Sequence, residues 1–189
     1  MAYERQEISR EAVARQMEIC EQIRILRAGQ NALALVDTYG CQQNEADSEK
    51  IRGYLAEMGF GFTQDEFEAD IVIANTCAVR EHAEMRVLGN VGQLNHSKAK
   101  NPGQIIAVCG CMVQQPHMQE KLKKSYSLVD LVFGPHELWR FPELMEKTLA
   151  VHGRGGNKGR VFDPPCSTDG VIAEGLPRRR DGNVKAWLS

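Results

Sequence analysis

No stretch of this 189-residue chain carries the roughly 18 consecutive apolar residues that a membrane-spanning helix requires. No membrane segment is therefore expected. Residues 1–30 are charged throughout and lack the apolar core of a secretory signal, so a cytoplasmic location is expected. There is no Cys-x-x-Cys pair, which argues against a zinc ribbon. There is no Gly-rich phosphate loop, and nothing points to a Ser/His/Asp triad. The histidines, His82, His96, His117, His136 and His152, show no zinc-ligand spacing with a cysteine and read as surface or cap residues. Positive charge is also scarce. Residues 1–150 carry 16 Lys+Arg against 21 Asp+Glu, while residues 151–189 carry 7 against 4. The larger part is a poor electrostatic partner for nucleic acid by itself.

What is present describes an ordinary globular protein, with 42% apolar and 25% charged residues. Residues 7–27 read as an amphipathic helix with Val13, Met17, Cys20 and Leu26 on one face. Short apolar strands are expected over 33–38, 70–74, 104–108 and 128–133. Each is followed by a helical pattern. Asn44 reads as the N-cap of the first of these helices. Ala83, Val87, Val91 and Leu94 form the stripe of the second, Pro116 opens the third, and Leu138, Phe141, Met145 and Leu149 mark the last. Strand–helix repeated four times predicts an α/β fold: a Rossmann-like parallel sheet with helices on both faces, preceded by an N-terminal amphipathic helix. The expected organisation is a helical extension over 1–30, an α/β domain over 31–150 and an irregular linker over 151–189. The linker is rich in glycine and proline and is expected to be loosely packed.

Six cysteines stand out. In a reducing compartment they read as metal ligands or buried thiols rather than disulfides. Cys41, Cys77 and Cys111 each follow an apolar strand, 36 and 34 residues apart, about one βα unit. In a parallel sheet the carboxyl ends of the strands share one edge, where ligands bind. Gly40 and Gly110 precede two of these thiols, and glycine permits close approach of the main chain to a ligand. Three readings are open to this pattern: small buried thiols, an iron–sulfur cluster, and a zinc site of Cys41, Cys77, Cys109 and Cys111. Cys109 reads as a strand-end core thiol and Cys20 as core. Cys166 has no supported role. Arg178-Arg179-Arg180 is either a contact for RNA phosphate or a solvated linker run.

The motifs around these thiols resemble a known family. Thr38-Tyr39-Gly40-Cys41-Gln42-Gln43-Asn44 with Asp47-Ser48-Glu49, Asn75-Thr76-Cys77-Ala78-Val79-Arg80-Glu81, and Cys109-Gly110-Cys111-Met112 with Gln114-Gln115 are similar to the three cysteine motifs of the radical S-adenosylmethionine methylthiotransferases. Phe133-Gly134 and Pro142-Glu143-Leu144 fit the end of their amino-terminal domain, so the likeness spans about residues 33–150. The first two motifs point to the MiaB-type branch, which modifies tRNA. The resemblance implies an auxiliary [4Fe–4S] cluster on Cys41, Cys77 and Cys111. It implies methylthiolation of carbon 2 of isopentenyladenosine beside the anticodon, with S-adenosylmethionine and a second [4Fe–4S] cluster in a radical domain. That second cluster needs C-x-x-x-C-x-x-C, a spacing absent among the six cysteines. The chain therefore reads as the amino-terminal part of a longer enzyme, not expected to complete the reaction alone. A stand-alone zinc-binding, interaction or thiol redox module is the alternative.

Overall fold

The computed structural model describes residues 6–78, 81–152, 159–163 and 171–180. In chain order the elements are β1 (Gln6–Glu7), α1 (Arg10–Leu26), β2 (Leu33–Tyr39), α2 (Gln42–Glu57), β3 (Gly61–Phe62), β4 (Ile71–Thr76), α3 (Glu81–Gln93), α4 (Asn95–Lys100), β5 (Ile105–Gly110), α5 (Pro116–Ser125), β6 (Leu131–Phe133), α6 (Phe141–His152), β7 (Val161–Asp163) and β8 (Val171–Ile172). Short 3₁₀ segments, Cys111–Gln114 and Pro135–Arg140, lead into α5 and α6.

Six strands form one parallel sheet in the order β3-β2-β4-β5-β6-β7. Its central strands are apolar on both sides, as burial of both faces demands. Alternation then sorts them. Val36, Ile71, Ile73, Ile105, Ala107 and Phe133 pack with Ile19 and Ile23 of α1, Tyr54 and Leu55 of α2, and Phe141 and Leu144 of α6. Leu35, Val72, Ala74, Ile106, Val108 and Val132 pack with Val87 and Val91 of α3 and Leu122 of α5. The expected two-sided α/β architecture is present, with two more strands in the sheet, β3 and β7, than the apolar runs suggest. β7 pairs with β6 from within the stretch expected to be irregular. At the amino edge of the sheet, Asp70 accepts the Leu33 N–H at 2.8 Å. Asp130 accepts the Ile106 N–H at 2.8 Å and pairs with Lys98 and His152.

Two local expectations need correction. Leu26 is 82% exposed: at 3.6 residues per turn it stands roughly 140° round α1 from Val13, off the face shared by Val13, Met17 and Cys20, and it is the last helical residue. Asn44 is not the N-cap of α2. The helix begins two residues earlier, and Cys41 is its cap.

The segment after β8 packs on α2 as a strap. Leu176 packs against the core, and the Arg179 N–H donates to the Glu49 carbonyl at 2.9 Å. The Arg179 guanidinium stacks on Phe62 at 4.5 Å from the ring centre, and Arg180 stands 3.7 Å from Glu49. Burial pushes the Asp47 carboxyl above its usual range, and the nearby charge of Arg178 offsets part of that. The arginine run is exposed, as a solvated run would be, and also makes contacts within the domain. The strap approaches so closely that a Cβ on Gly53 would stand 2.4 Å from the Pro177 carbonyl group. Gly53→Ala should therefore lift the strap while gaining about 1 kcal/mol of helix propensity in α2. The expected outcome is faster tryptic cleavage at Arg178–Arg180 with little change in the unfolding midpoint. Unchanged cleavage would show that the strap accommodates the methyl group.

Candidate functional site

The sheet register sets the site. β2 and β4 pair with Tyr39 beside Thr76, and β4 and β5 pair with Thr76 beside Gly110. Three neighbouring strands thus end level with one another. Cys41 lies two residues beyond Tyr39, Cys77 one beyond Thr76, and Cys111 one beyond Gly110. The Cys77 N–H donates to the Tyr39 carbonyl at 3.0 Å, extending the ladder by one step. The three thiols expected to meet at one edge do so. The chain leaves β2 through α2 on one face and β4 through α3 on the other. A reversal of this kind between adjacent strands opens a crevice at the carboxyl edge. Cys41 and Cys77 flank it.

Each thiol is held differently. Cys41 is exposed and caps α2. The Asn44 backbone N–H points at its sulfur and holds the thiol below its usual range. The Gln43 N–H and the Cys77 thiol, within hydrogen-bonding reach, act in the same direction. A helix amino terminus favours a thiolate for the same reason it favours any anion. Cys77 is buried, and a Cβ on Gly40 would stand 2.9 Å from its Cβ. Cys111 is half-buried. Burial pushes its thiol up, and the negative charges of Cys77, Asp47 and Cys41 push it further. A half-buried thiol whose ionisation two neighbouring thiols oppose is a natural receptor for positive charge.

Gly110 makes the approach to Cys111 possible. Its φ is +97°, a conformation open to glycine and costly to L side chains. A Cβ there would also stand 2.2 Å from the Thr76 carbonyl oxygen.

Beneath the thiols lies a buried amide network that the sequence motifs contain but whose role they do not reveal. The Asn44 side-chain oxygen accepts the Cys41 N–H at 3.2 Å. Its amide nitrogen donates to the Asn75 side-chain oxygen at 3.1 Å and to the Thr76 carbonyl at 3.0 Å. Asn75 returns donations to the Asn44 carbonyl at 2.8 Å and to the Ser48 hydroxyl at 3.0 Å. The available signal is the polar pair Asn75-Thr76 at the end of an otherwise apolar strand that is buried throughout.

The other candidates lie elsewhere. Cys109 is the penultimate residue of β5, 2% exposed, with burial pushing its thiol well up. Cys20 is in the core beneath α1, its thiol pushed up to about 12 by burial. No disulfide joins the cysteines among the described residues. Cys166 and the side chain of His82 lie outside the described residues. His117 is exposed beside Glu84, and His152 is at the opposite edge with Asp130. Among the described residues, no group of three or more His, Cys, Asp or Glu side chains is gathered to hold a metal ion. A single zinc ion at about 2.3 Å from each sulfur needs such a gathering, and the fourth thiol of that arrangement, Cys109, is committed to the core.

These environments predict an order of reactivity in the metal-free chain. Thiolate is the reactive form, so brief iodoacetamide treatment near pH 7 should label Cys41 first, with Cys20 and Cys109 unlabelled until the chain unfolds. Peptide mapping reads the order, and labelling of Cys109 ahead of Cys41 would contradict it.

Residues 34–134 match the family described as "Uncharacterized protein family UPF0004", and they include all three edge thiols. Relatives named tRNA-2-methylthio-N(6)-dimethylallyladenosine synthase are similar along most of the chain. The one from Alkaliphilus oremlandii is 42% identical over 96% of this chain and 37% of its own length. That from Clostridioides difficile is 45% identical over 86% of this chain and 33% of its own. That from Acetivibrio thermocellus is 44% identical over 96% and 38%. The chain thus spans little more than a third of these relatives, and matches their amino-terminal part. The match covers more than half of the chain: it belongs to the UPF0004 family, the amino-terminal domain of MiaB-type enzymes.

Proposed function

We propose that this chain is the cluster-holding amino-terminal domain of a tRNA methylthiotransferase, with Cys41, Cys77 and Cys111 as ligands of an auxiliary [4Fe–4S] cluster. The observation that carries the reading is the meeting of three thiols at the level ends of β2, β4 and β5, beside the crevice between β2 and β4. The donor set fits the group. Soft thiolates suit iron–sulfur clusters. The opposition of burial and of the neighbouring Cys77, Asp47 and Cys41 to ionisation of Cys111 is relieved when a cationic group is bound.

When bound through three cysteines, such a cluster keeps one iron without a protein ligand, able to carry sulfur for insertion into the substrate. The chain's own residues supply the rest of the arrangement. The α2 amino terminus favours the thiolate of Cys41, Gly110 lets the Cys111 turn close over the end of β4, and the core on both faces holds the strand ends level. The relatives' shared name assigns methylthiolation of dimethylallyladenosine in tRNA, and we extend that activity to the protein of which this domain is part. Cleavage of S-adenosylmethionine at a second cluster falls to residues outside these 189, because the required C-x-x-x-C-x-x-C spacing is not among them. The tRNA is then gripped chiefly by other parts of the enzyme, and the work is done in the cytoplasm.

Anaerobic reconstitution with iron and sulfide tests the reading. The chain should take up about four irons and four sulfides and turn brown. Replacing Cys41, Cys77 or Cys111 with Ala should each remove most of the chromophore, while Cys20→Ala keeps it. Zinc bound in the absence of sulfide, or colour that survives all three substitutions, would overturn the assignment. In an enzyme that also carries the radical domain, Cys41→Ala should abolish methylthiolation yet leave some 5′-deoxyadenosine formation.

A further inference from the structure

Each thiol of the edge belongs to a different loop, and a loop after a strand is ordinarily free to drift by more than a ligand bond tolerates. Something must lock the three loops to one another. Backbone pairing ends at Thr76 and Gly110 on the β4–β5 side and at the Cys77 N–H on the β2–β4 side. Beyond those points the links are side chains, and they converge on two residues.

Asn44 and Asn75 are 0% and 1% exposed. Asn44 stands in the first turn of α2 and reaches both ways. Its oxygen takes the Cys41 N–H, and the Cys41 thiol donates to the same oxygen at 3.4 Å. Its nitrogen grips Asn75 and the Thr76 carbonyl, one residue before Cys77. Asn75 completes the reciprocal pair and, through Ser48, reaches the Thr38 hydroxyl at the end of β2. On its other side, the Asn75 oxygen lies 2.6 Å from where a Cβ on Gly110 would stand, so the backbone before Cys111 packs directly on it. The Thr76 hydroxyl donates to the Cys109 carbonyl of β5 at 2.9 Å. Two amides thus touch the loops of all three thiols.

We propose that Asn44 and Asn75 are positioning residues that set the mutual placement of Cys41, Cys77 and Cys111, working as one reciprocal amide pair. This rests on the cluster assignment above for its purpose, but the placement itself is a property of the metal-free chain. A buried amide with all its partners met is rigid, and one with a partner removed leaves a costly unpaired group. Removing either amide should therefore loosen the Cys41 loop relative to Cys77 before it unfolds the sheet.

Two readouts separate the possibilities. Phenylarsine oxide condenses with two nearby thiols to a dithioarsinite and water, and peptide mapping identifies the pair. In the metal-free chain it should bridge Cys41 and Cys77, about fivefold more slowly in Asn75→Ala and Asn44→Ala, the factor that one lost buried hydrogen bond commands. The reconstituted variants should hold less than half the iron of the parent, with a broadened electron paramagnetic resonance signal after reduction. Val132→Ala, at a site in the other core cluster, serves as the stability control. Matched to Asn75→Ala in unfolding midpoint, it should keep both the bridging rate and the iron of the parent. Normal bridging in the two Asn variants, or equal loss in Val132→Ala, overturns the positioning role. Normal arsenical behaviour of the parent with no iron uptake would instead overturn the cluster assignment and leave the positioning role standing.

Discussion

The parallel ladder in which Tyr39, Thr76 and Gly110 stand side by side is the constraint on which everything else depends. It fixes the height at which three loops begin. A slip of one residue in a strand would send its side chains to the opposite face, where residues of different volume are packed. β4 cannot slip, because Ile71 and Ile73 are required by one cluster while Val72 and Ala74 are required by the other. The apolar packing of the domain thus pins the register, and the register delivers the thiols. The carboxylates at the amino edge, Asp70 and Asp130, hold strand starts through backbone N–H groups and keep the ladder aligned from below.

The carboxyl edge gathers groups that resist being gathered. Burial and neighbouring negative charge both oppose ionisation of Cys111, while the α2 amino terminus favours it at Cys41. The amide pair below is neutral, so it can be buried and fully bonded without adding to that opposition. An acidic or basic residue in its place would either compound the repulsion or compete with an incoming cation for the thiolates.

The sequence discloses these features unevenly, for physical reasons. β2, β4 and β5 are legible because strands buried on both faces are apolar runs, and the thiols at their ends are placed as soon as the sheet is known to be parallel. β3, β7 and β8 have two or three residues each, too few for any period to show. β7 and β8 also lie in glycine- and proline-rich sequence, where composition suggests a linker. Asn44 reads as a cap because asparagine suits that position. Its place three residues inside the helix depends on Cys41 taking the cap, which requires the sulfur to sit where the helix amides converge. The strap is invisible in sequence. Arg178, Arg179 and Arg180 look like a charge run until Phe62, Glu49 and Asp47 are seen beneath them.

The order of strands in the sheet also has a meaning for synthesis. From β2 through β4, β5 and β6 to β7, each new strand joins the outer edge of the one before, with only β3 added on the far side. A chain emerging from a ribosome can build this sheet vectorially, without holding a gap open for a later strand. Asn44 emerges soon after Cys41, and Asn75 just before Cys77. The amide pair that joins the first two loops is therefore available before Cys111 arrives, and the third thiol is delivered to a frame already assembled. β8, the partner of β1, is made after the other described strands. What closes the domain is thus separated in time from what forms its thiol edge.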